Sequence, residues 1–513
     1  MGKALSSFPQ RRNWISGGMD DKNKLTLDPS NTLQNQVLGT IYGNCIGDAI
    51  GLMTEFLSKD QARKYYGGKH LEYPMKEIAA AKFFHQMVFP EADWTDDSDQ
   101  MILILQSLMD NNGKANAVDF SKKLLEWVKH GFAELGDPCG MGLGQTTSKV
   151  VHHENFTTDP HEAALSVWEK SNRTVAPNGG VMRTSIVGVH QYDDISQVIG
   201  NTKVFCKVTH ADPRCVASCV AVTTAISMML QGLHKTSKGH YDVARITEAS
   251  FNYAKECLLR DDKGNLDEEQ VRELQFHMNA SLSELELDDR KKIGYTFKCL
   301  GAGFWALRQS SFRDAIEAIT LEGGDADTNG AVAGALLGCK LGYCKLPSSW
   351  KNELKHKEWL DDILARYFQS GIMTESCGTP VDGPEVGIRL TGGEQDDAEQ
   401  ATAPKTGGDC SSATDTTKDM TTELSAEVKV QSADLSPDQQ ASISKSEVTA
   451  EGQQDPEDPH RSKDQPEEAS EVTAETEVRG QCNSPASDPT EATQIGESSG
   501  DLSETKPEDL ACQ

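Results

Sequence analysis

Apolar residues recur at intervals of three and four positions through most of the first 374 residues of the chain. Clear examples lie in residues 101–108, 120–128 and 297–307. This spacing puts the apolar side chains on one face of an α-helix, whereas the alternation that is typical of strands is almost absent. The pattern therefore predicts an all-α fold, in one large domain over residues 32–374.

The most apolar run covers residues 215–230 and is interrupted by the hydroxyl side chains of Ser218, Thr223, Thr224 and Ser227. It is short for a membrane span, which needs about 20 predominantly apolar residues. We therefore predict a buried helix. Cys215 and Cys219 would share one face of it, where core packing is the expected use of both thiols.

Two of the predicted helices carry glycine at every fourth position. The glycines are Gly39, Gly43, Gly47 and Gly51 in residues 38–55, and Gly330, Gly334, Gly338 and Gly342 in residues 330–342. Each glycine inside a helix costs about 1 kcal/mol relative to alanine. A stripe without side chains lets a neighbouring helix backbone approach closely, so close helix packing is the expected reason for both stripes.

The negative charge of the chain is concentrated at its C-terminal end. Residues 391–513 contain 29 Asp and Glu but only 8 Lys and Arg, they lack Phe, Trp and Tyr, and residues 446–451 recur as 470–475. Such a segment cannot bury enough apolar surface to offset the entropy of ordering. We predict a disordered acidic tail over residues 375–513, whose partner stays open. The absence of a basic stripe argues against direct binding of nucleic acid.

The first residues bear on where the protein resides. Residues 1–31 are predicted to be a flexible N-terminus, without the apolar core of a secretory signal, and the thirteen cysteines form no Cys-x-x-Cys pair. We expect a reducing, cytoplasmic location, with the nucleus also open. The sequence Met1-Gly2-Lys3-Ala4-Leu5-Ser6 fits N-myristoylation of Gly2, which would give weak peripheral membrane attachment. The alternative is an untethered N-terminus.

Two acidic clusters precede predicted helices. Residues 94–99 lie before a helix expected to begin near Gln100, and residues 323–329 lie before the second glycine-striped helix. Helix capping explains only one or two acidic residues per helix. Four carboxylates in one place repel unless cations neutralise them, and oxygen ligands suit Mg²⁺ or Mn²⁺ better than zinc. Spacing alone leaves open whether the two clusters meet.

Three further segments have the composition of a binding site. Glu55 follows the first glycine stripe, residues 177–183 contain a glycine pair that would let backbone N–H groups approach an anion, and His210 precedes the apolar helix. Each also has a purely structural explanation. The glycine pair can be a simple turn, and His210 can be a hydrogen-bonding residue of the interior. The glycine-rich residues 140–144 are weaker evidence.

Taken together, these segments resemble the ADP-ribosylglycohydrolase family, which includes the dinitrogenase reductase-activating glycohydrolases, over about residues 38–342. The matching segments are Gly47-Asp48-Ala49-Ile50-Gly51 with Glu55, Thr95-Asp96-Asp97-Ser98, Asn178-Gly179-Gly180-Val181-Met182-Arg183, Thr209-His210-Ala211-Asp212-Pro213-Arg214 and Gly323-Gly324-Asp325-Ala326-Asp327-Thr328. Many members have Thr where this chain has Ser98, a change that retains the hydroxyl.

The resemblance implies a compact orthogonal helical bundle with two Mg²⁺ or Mn²⁺ ions in a central cleft. The implied metal ligands are Thr95, Asp96, Asp97, Asp325, Asp327 and Thr328. Glu55 and Asp97 are the implied catalytic carboxylates. The implied substrate-binding residues are Asn178, Gly179, Gly180, Met182 and His210.

The implied activity is metal-dependent hydrolysis of the N- or O-glycosidic bond at ribose C1″. It would release ADP-ribose from a modified protein or small molecule through a transition state with oxocarbenium character. Which linkage is cut stays open, as do the choice of ion and the stereochemical outcome. Three alternatives remain: a non-catalytic ADP-ribose reader or crystallin-like structural member of the same fold, a different two-metal hydrolase, and an interaction protein that works through its tail.

Overall fold

The structure, a computed structural model, describes residues 27–73 and 89–374. The myristoylation pattern at Gly2 and the predicted acidic tail lie outside the described residues. The limits of the three predicted regions, 1–31, 32–374 and 375–513, stay predictions.

Helices account for the secondary structure of the described residues, in which no β-strand forms, and this confirms the predicted all-α class. In chain order they are α1 (Thr32–Gly51), α2 (Lys59–Tyr66), α3 (Asp96–Asp110), α4 (Ala117–His130), α5 (Gln145–Val151), α6 (Pro160–Lys170), α7 (Ser185–Val189), α8 (Ile195–Cys206), α9 (Pro213–Leu230), α10 (Val243–Lys255), α11 (Glu268–Asn279), α12 (Thr296–Leu307), α13 (Phe312–Thr320), α14 (Ala326–Leu341), α15 (Ser348–Glu353) and α16 (Lys357–Ser370).

The two glycine stripes pack against each other. A Cβ atom built at Gly43 would lie 2.1 Å from the carbonyl oxygen of Gly334, and one at Gly47 would lie 1.9 Å from the carbonyl oxygen of Gly330. No side chain fits into such a space, so α1 and α14 are in backbone contact and the predicted reason for the stripes is confirmed. The fourth glycine of the second stripe, Gly342, lies just beyond the end of α14 and has a left-handed φ of 83°.

The pairing of glycines fixes how α1 and α14 lie relative to each other. Glycines further along α1 contact residues nearer the beginning of α14, from Gly39 with Gly338 to Gly51 with Ala326. The two helices are therefore antiparallel. As a consequence, the end of α1 that carries Asp48 lies beside the beginning of α14, where the second acidic cluster is found.

Helix α9 runs through the interior of the domain. By length and composition it could cross a membrane, but 89% of it is buried inside the described part of the chain. Cys215 and Cys219 are fully buried among apolar neighbours. Both findings confirm the prediction of a buried helix in which these thiols serve core packing.

Part of each acidic cluster lies in the first turn of a helix, and the predicted start near Gln100 is wrong. Helix α3 begins four residues earlier, at Asp96, because the Thr95 hydroxyl accepts a hydrogen bond from the Asp97 N–H and caps the helix. Carboxylates in a first turn are favoured by the helix dipole. Helix α14 begins at Ala326, so part of the second cluster also lies in a first turn.

Candidate functional site

The carboxylate of Asp48 organises the first acidic cluster. Asp48 is fully buried on α1, and its oxygens accept hydrogen bonds from the backbone N–H of Thr95 at 3.0 Å and from the backbone N–H and hydroxyl of Ser98 at 3.1 and 2.7 Å. These bonds fasten the start of α3 to α1. In the sequence, Asp48 stands out only as part of the motif at residues 47–51. An acidic residue inside an otherwise apolar, glycine-striped helix was the feature that could have identified it.

The two acidic clusters meet in the interior. One carboxylate oxygen each of Asp48, Asp97 and Asp327 lies within 4.8 Å of the others. The Thr328 hydroxyl also donates a hydrogen bond to Asp97 Oδ1 at 3.2 Å. Residues 94–99 and 323–329, whose meeting the spacing alone left open, therefore come together in the fold.

A second group of carboxylates adjoins the first. Oxygens of Glu55, Asp325 and Asp327 also lie within 4.8 Å of one another, so Asp327 belongs to both groups. Glu55 and Asp325 are half-buried, whereas Asp327 is buried. The arrangement forms a continuous row of carboxylates that runs from the interior towards solvent.

Backbone pairing explains the position of Glu55. Helix α1 ends at Gly51, a single 3₁₀ turn follows, and the chain then reverses at Phe56, which has a left-handed φ of 62°. The Phe56 N–H donates to the carbonyl of Gly324 at 2.7 Å, and the Gly324 N–H donates to the carbonyl of Leu57 at 2.8 Å. These two bonds hold Glu55 beside the second acidic cluster.

Two predicted metal ligands have other partners as well. Asp96 is buried, its Oδ2 accepts a hydrogen bond from the side-chain amide of Gln100 at 2.7 Å, and a Cβ built at Gly142 would lie 2.7 Å from its Oδ1. The glycine-rich loop 140–144 thus covers Asp96 closely. The hydroxyl of Thr95 caps α3. Metal binding by Asp96 and Thr95 stays a prediction.

Burial and mutual repulsion disfavour the charged form of the carboxylates in this centre, so a positively charged ion would stabilise them. Burial raises the pKa of Asp48 to about 7, although hydrogen bonds from Ser98 and Thr95 oppose the shift. Burial, reinforced by the neighbouring carboxylates, raises the pKa of Asp96, Asp97 and Asp327 well above the usual range.

Asp97 offers a direct test of whether these residues suit a metal ion. Its Oδ2 is buried and has no hydrogen-bond partner among the described residues. A buried carboxylate oxygen without a partner is costly, and a divalent cation would satisfy it and neutralise the repulsion. The donor set consists of hard oxygen atoms, so the cluster could hold divalent metal.

The glycine pair forms a 3₁₀ turn, Asn178–Gly180, next to the acidic row. The side-chain amide of Asn178 donates to Asp325 Oδ2 at 2.8 Å. A Cβ at Gly179 would lie 2.9 Å from the imidazole of His210, so the turn and His210 are in contact.

Gly180 and Met182 lie in the interior. A Cβ at Gly180 would contact the thiols of Cys206 and Cys219, and Met182 is buried. Contact of these two residues with a substrate stays a prediction, as it does for Asn178, Gly179 and His210.

His210 also lines a cavity of about 330 Å³. Its walls include the apolar side chains of Val167, Trp168 and Val175, and two lysines also line it, Lys149 and Lys170. The sequence does not reveal this cavity, because its lining comes from separate segments without a shared motif.

Fold and site define a helical protein with a buried carboxylate centre that could hold divalent metal. A family model described as ADP-ribosylglycohydrolase matches residues 29–376. The chain therefore belongs to the ADP-ribosylglycohydrolase family, a family of hydrolases, which confirms the resemblance noted in the sequence.

Curated relatives agree with this family. The chain is 22% identical over 343 residues to "ADP-ribosylarginine hydrolase Tri1" of Serratia proteamaculans, covering 67% of this chain and 81% of the relative. It is 22% identical over 335 residues to "ADP-ribosyl-[dinitrogen reductase] glycohydrolase" of Rhodospirillum rubrum, covering 64% and 92%. A protein of Escherichia coli, YegU, is 26% identical over 355 residues, covering 65% and 97%.

Proposed function

We propose that the chain is a divalent-cation-dependent glycohydrolase that cleaves the bond at ribose C1″ and releases ADP-ribose from a modified protein or small molecule. The observation that carries this proposal is the convergence of Asp48, Asp97 and Asp327 in one buried group. The names of two relatives, which specify ADP-ribosylarginine and ADP-ribosyl-[dinitrogen reductase], support the substrate class.

We assign metal binding to the two helix starts. The ligands would be Thr95, Asp96, Asp97, Asp325, Asp327 and Thr328, for two ions that are most simply Mg²⁺, with Mn²⁺ as the alternative. Divalent cations held there would supply the positive charge that orients the ribose hydroxyls and lowers the pKa of a bound water. Asp48 would position the ligands, because both of its oxygens already accept hydrogen bonds from the start of α3.

Glu55 is our choice for the residue that accepts the proton of the attacking water. It is half-buried and lies beside Asp325 and Asp327, so substrate and water can reach it. Asp97 is buried and accepts a hydrogen bond from Thr328, which suits a ligand better than a base. A carboxylate near the ribose would also stabilise the positive charge that develops at C1″.

The nucleotide end of the substrate would occupy the cavity beside His210. A volume of about 330 Å³ with apolar walls at Trp168 and Val175 suits a nucleoside. The diphosphate would then pass the turn at Gly179, with Lys149 and Lys170 supplying positive charge nearby.

Release of free ADP-ribose from defined substrates tests the function. The panel contains arginine- and serine-linked protein, O-acetyl-ADP-ribose, the polymer and modified nucleic-acid ends, each with and without Mg²⁺ or Mn²⁺ after chelation. We expect release from at least one substrate, its loss on chelation, and its loss in Asp97→Asn and Asp327→Asn. The matched control is Asp314→Asn, an exposed acid in the first turn of α13, which should keep full activity.

The same panel separates the proposal from its alternatives. Binding of ADP-ribose without release from any substrate would favour a reader or a structural protein. Metal-independent release would contradict the assigned role of the acidic clusters.

A further inference from the structure

The loop between α11 and α12 borders the acidic row at two points. Near the middle of the loop, Asp288 Oδ2 accepts a hydrogen bond at 2.8 Å from the backbone N–H of Lys59, which lies four residues beyond Glu55. Near its end, a Cβ built at Gly294 would lie 3.4 Å from Asp325 Oδ2. The stretch between Asp288 and Gly294 is therefore held at both sides beside the carboxylates of the cleft.

Three consecutive cations occupy this stretch. Arg290, Lys291 and Lys292 are all exposed, and in the part of the chain that the structure describes none of them has a carboxylate within ion-pair distance. The neighbouring Asp289 has other partners: one oxygen lies 3.8 Å from the ammonium of Lys298, and the other accepts the backbone N–H of Lys291 at 3.1 Å. The loop therefore presents uncompensated positive charge to solvent.

The distance of these charges from the cleft limits what they can contact. Consecutive residues span at most about 3.6 Å, so Arg290 lies within roughly 14 Å of Gly294 and the adjoining carboxylates. When the ribose of a modified protein is held at the acidic row, residues within about four positions of the modified residue can reach the loop. Carboxylates at those positions would be attracted to the three cations.

The rest of the molecule favours a short acidic protein segment over a long nucleic acid. Of the net charge of −29, −21 lies in residues 391–513, which leaves −8 for residues 1–390, so a long polyanion would be repelled beyond the loop. The half-buried ring of Tyr295 already lies 5.8 Å from the ammonium of Lys292 and 5.7 Å from the guanidinium of Arg214. This ring is therefore poorly placed to stack on a base, a contact on which single-stranded nucleic-acid binding relies.

We propose that Arg290, Lys291 and Lys292 form a docking surface for acidic residues that flank the ADP-ribosylated residue of a protein substrate. This inference rests on the proposed function and adds a preference among protein substrates to it. The surface would strengthen binding and leave the chemical step unchanged, because its charges lie outside the carboxylate centre. Interactions between exposed charges weaken as salt is added, so the preference would depend on ionic strength.

Hydrolysis of two matched peptides by the full chain tests the docking surface. Both peptides carry ADP-ribose in a linkage that the substrate panel shows to be cleaved, flanked by glutamates in one peptide and by glutamines in the other. We expect a KM about fivefold lower for the glutamate peptide at low ionic strength, with a similar kcat. Arg290→Gln combined with Lys291→Gln should reduce this preference to less than about twofold, as should added NaCl. Lys292 is retained so that its contact with Tyr295 is not disturbed.

The matched control removes the same charge elsewhere. Lys238 and Lys345 are exposed and lie beyond the last residues of α9 and α14, two long helices whose first residues adjoin the cleft. Lys238→Gln combined with Lys345→Gln should keep the full preference for the glutamate peptide. An equal loss of preference in this control would show that only the net charge of the protein matters, and would overturn the inference.

Fluorescence anisotropy of the same two peptides without ADP-ribose separates this inference from the proposed function. The labelled glutamate peptide should bind the full chain more tightly than the glutamine peptide at low ionic strength, and the variant at Arg290 and Lys291 should lose the difference. This result would stand even if no substrate released ADP-ribose. Release with equal KM values for the two peptides would overturn the docking surface and leave the proposed function intact. A single-stranded oligonucleotide of the same charge that bound more tightly through Arg290 and Lys291 would overturn the assignment to protein substrates.

Discussion

Replacing Gly43 by alanine tests whether contact between the backbones of α1 and α14 assembles the acidic centre. The new Cβ would lie 2.1 Å from the carbonyl oxygen of Gly334. Carbon and oxygen atoms in contact are about 3.3 Å apart or more, so the helices would have to separate by about 1 Å. The atom in the way belongs to the backbone of a buried helix and cannot rotate aside.

Two opposing effects set the magnitude. Alanine is preferred over glycine in a helix by about 1 kcal/mol, which would stabilise the variant. Overpacking of a close-packed interior costs about 1–3 kcal/mol and occasionally more. Because the overlap is with backbone atoms, we expect the cost to lie at or above the upper end of that range. The net result should be a loss of about 2 kcal/mol of unfolding free energy.

Denaturant unfolding and Mn²⁺ titration of Gly43→Ala measure both consequences. The matched control is Gly200→Ala, the same change in α8, where the added Cβ has no neighbour within 4 Å. The control should gain up to about 1 kcal/mol. Gly43→Ala should unfold at lower denaturant concentration and bind Mn²⁺ more weakly, because Asp48 lies little more than one turn away. A Gly43→Ala protein as stable as the control, with unchanged Mn²⁺ binding, would refute the reasoning.

Three further predictions follow from the site. Asn178→Ala removes the hydrogen bond to Asp325, so the affinity of the variant for Mn²⁺, measured by calorimetry, should fall about fivefold to tenfold. An unchanged affinity would show that Asn178 does not position Asp325 for metal binding. Glu55→Gln should lower kcat about a hundredfold or more while ADP-ribose affinity changes little; an active variant would exclude Glu55 as the base. His210 has a pKa of about 6.5 in the unfolded chain and of about 3 in the folded protein. Between these two pH values only the unfolded state binds a proton at His210, so the free energy of unfolding falls as the pH is lowered. Denaturation at pH 5.0 and 6.5 measures how steeply the free energy of unfolding depends on pH. His210→Gln should reduce this dependence by up to about 1.4 kcal/mol per pH unit, and the same dependence in the variant and the unmodified protein would show that His210 titrates normally.

The helical class could be predicted because periodicity is a local property of the chain. The acidic clusters could be recognised as a candidate centre because capping alone does not explain Asp96 beside Asp97 and Asp325 close to Asp327 at two helix starts. The helix start predicted near Gln100 is too late because the acidic residues before it interrupt the apolar periodicity. They form the first turn instead, with Thr95 as the cap.

The remaining features depend on contacts between distant parts of the chain. The sequence shows two glycine stripes but not that Gly43 faces Gly334, which decides where Asp48 lies. Arg183 likewise donates a hydrogen bond to the Thr209 hydroxyl, which lies 2.7 Å from His210 Nδ1, and this contact joins two separate segments of the chain. Such pairings follow from packing of the whole domain.

The central claim is that two remote acidic clusters form one centre that binds divalent cations. Titration of Mn²⁺ into the chelator-treated full chain, followed by calorimetry or electron paramagnetic resonance, tests it most directly. We predict uptake of about two ions per chain, reduced in both Asp97→Asn and Asp327→Asn and unchanged in Asp314→Asn. Absence of uptake, or equal uptake in all three variants, would contradict the claim.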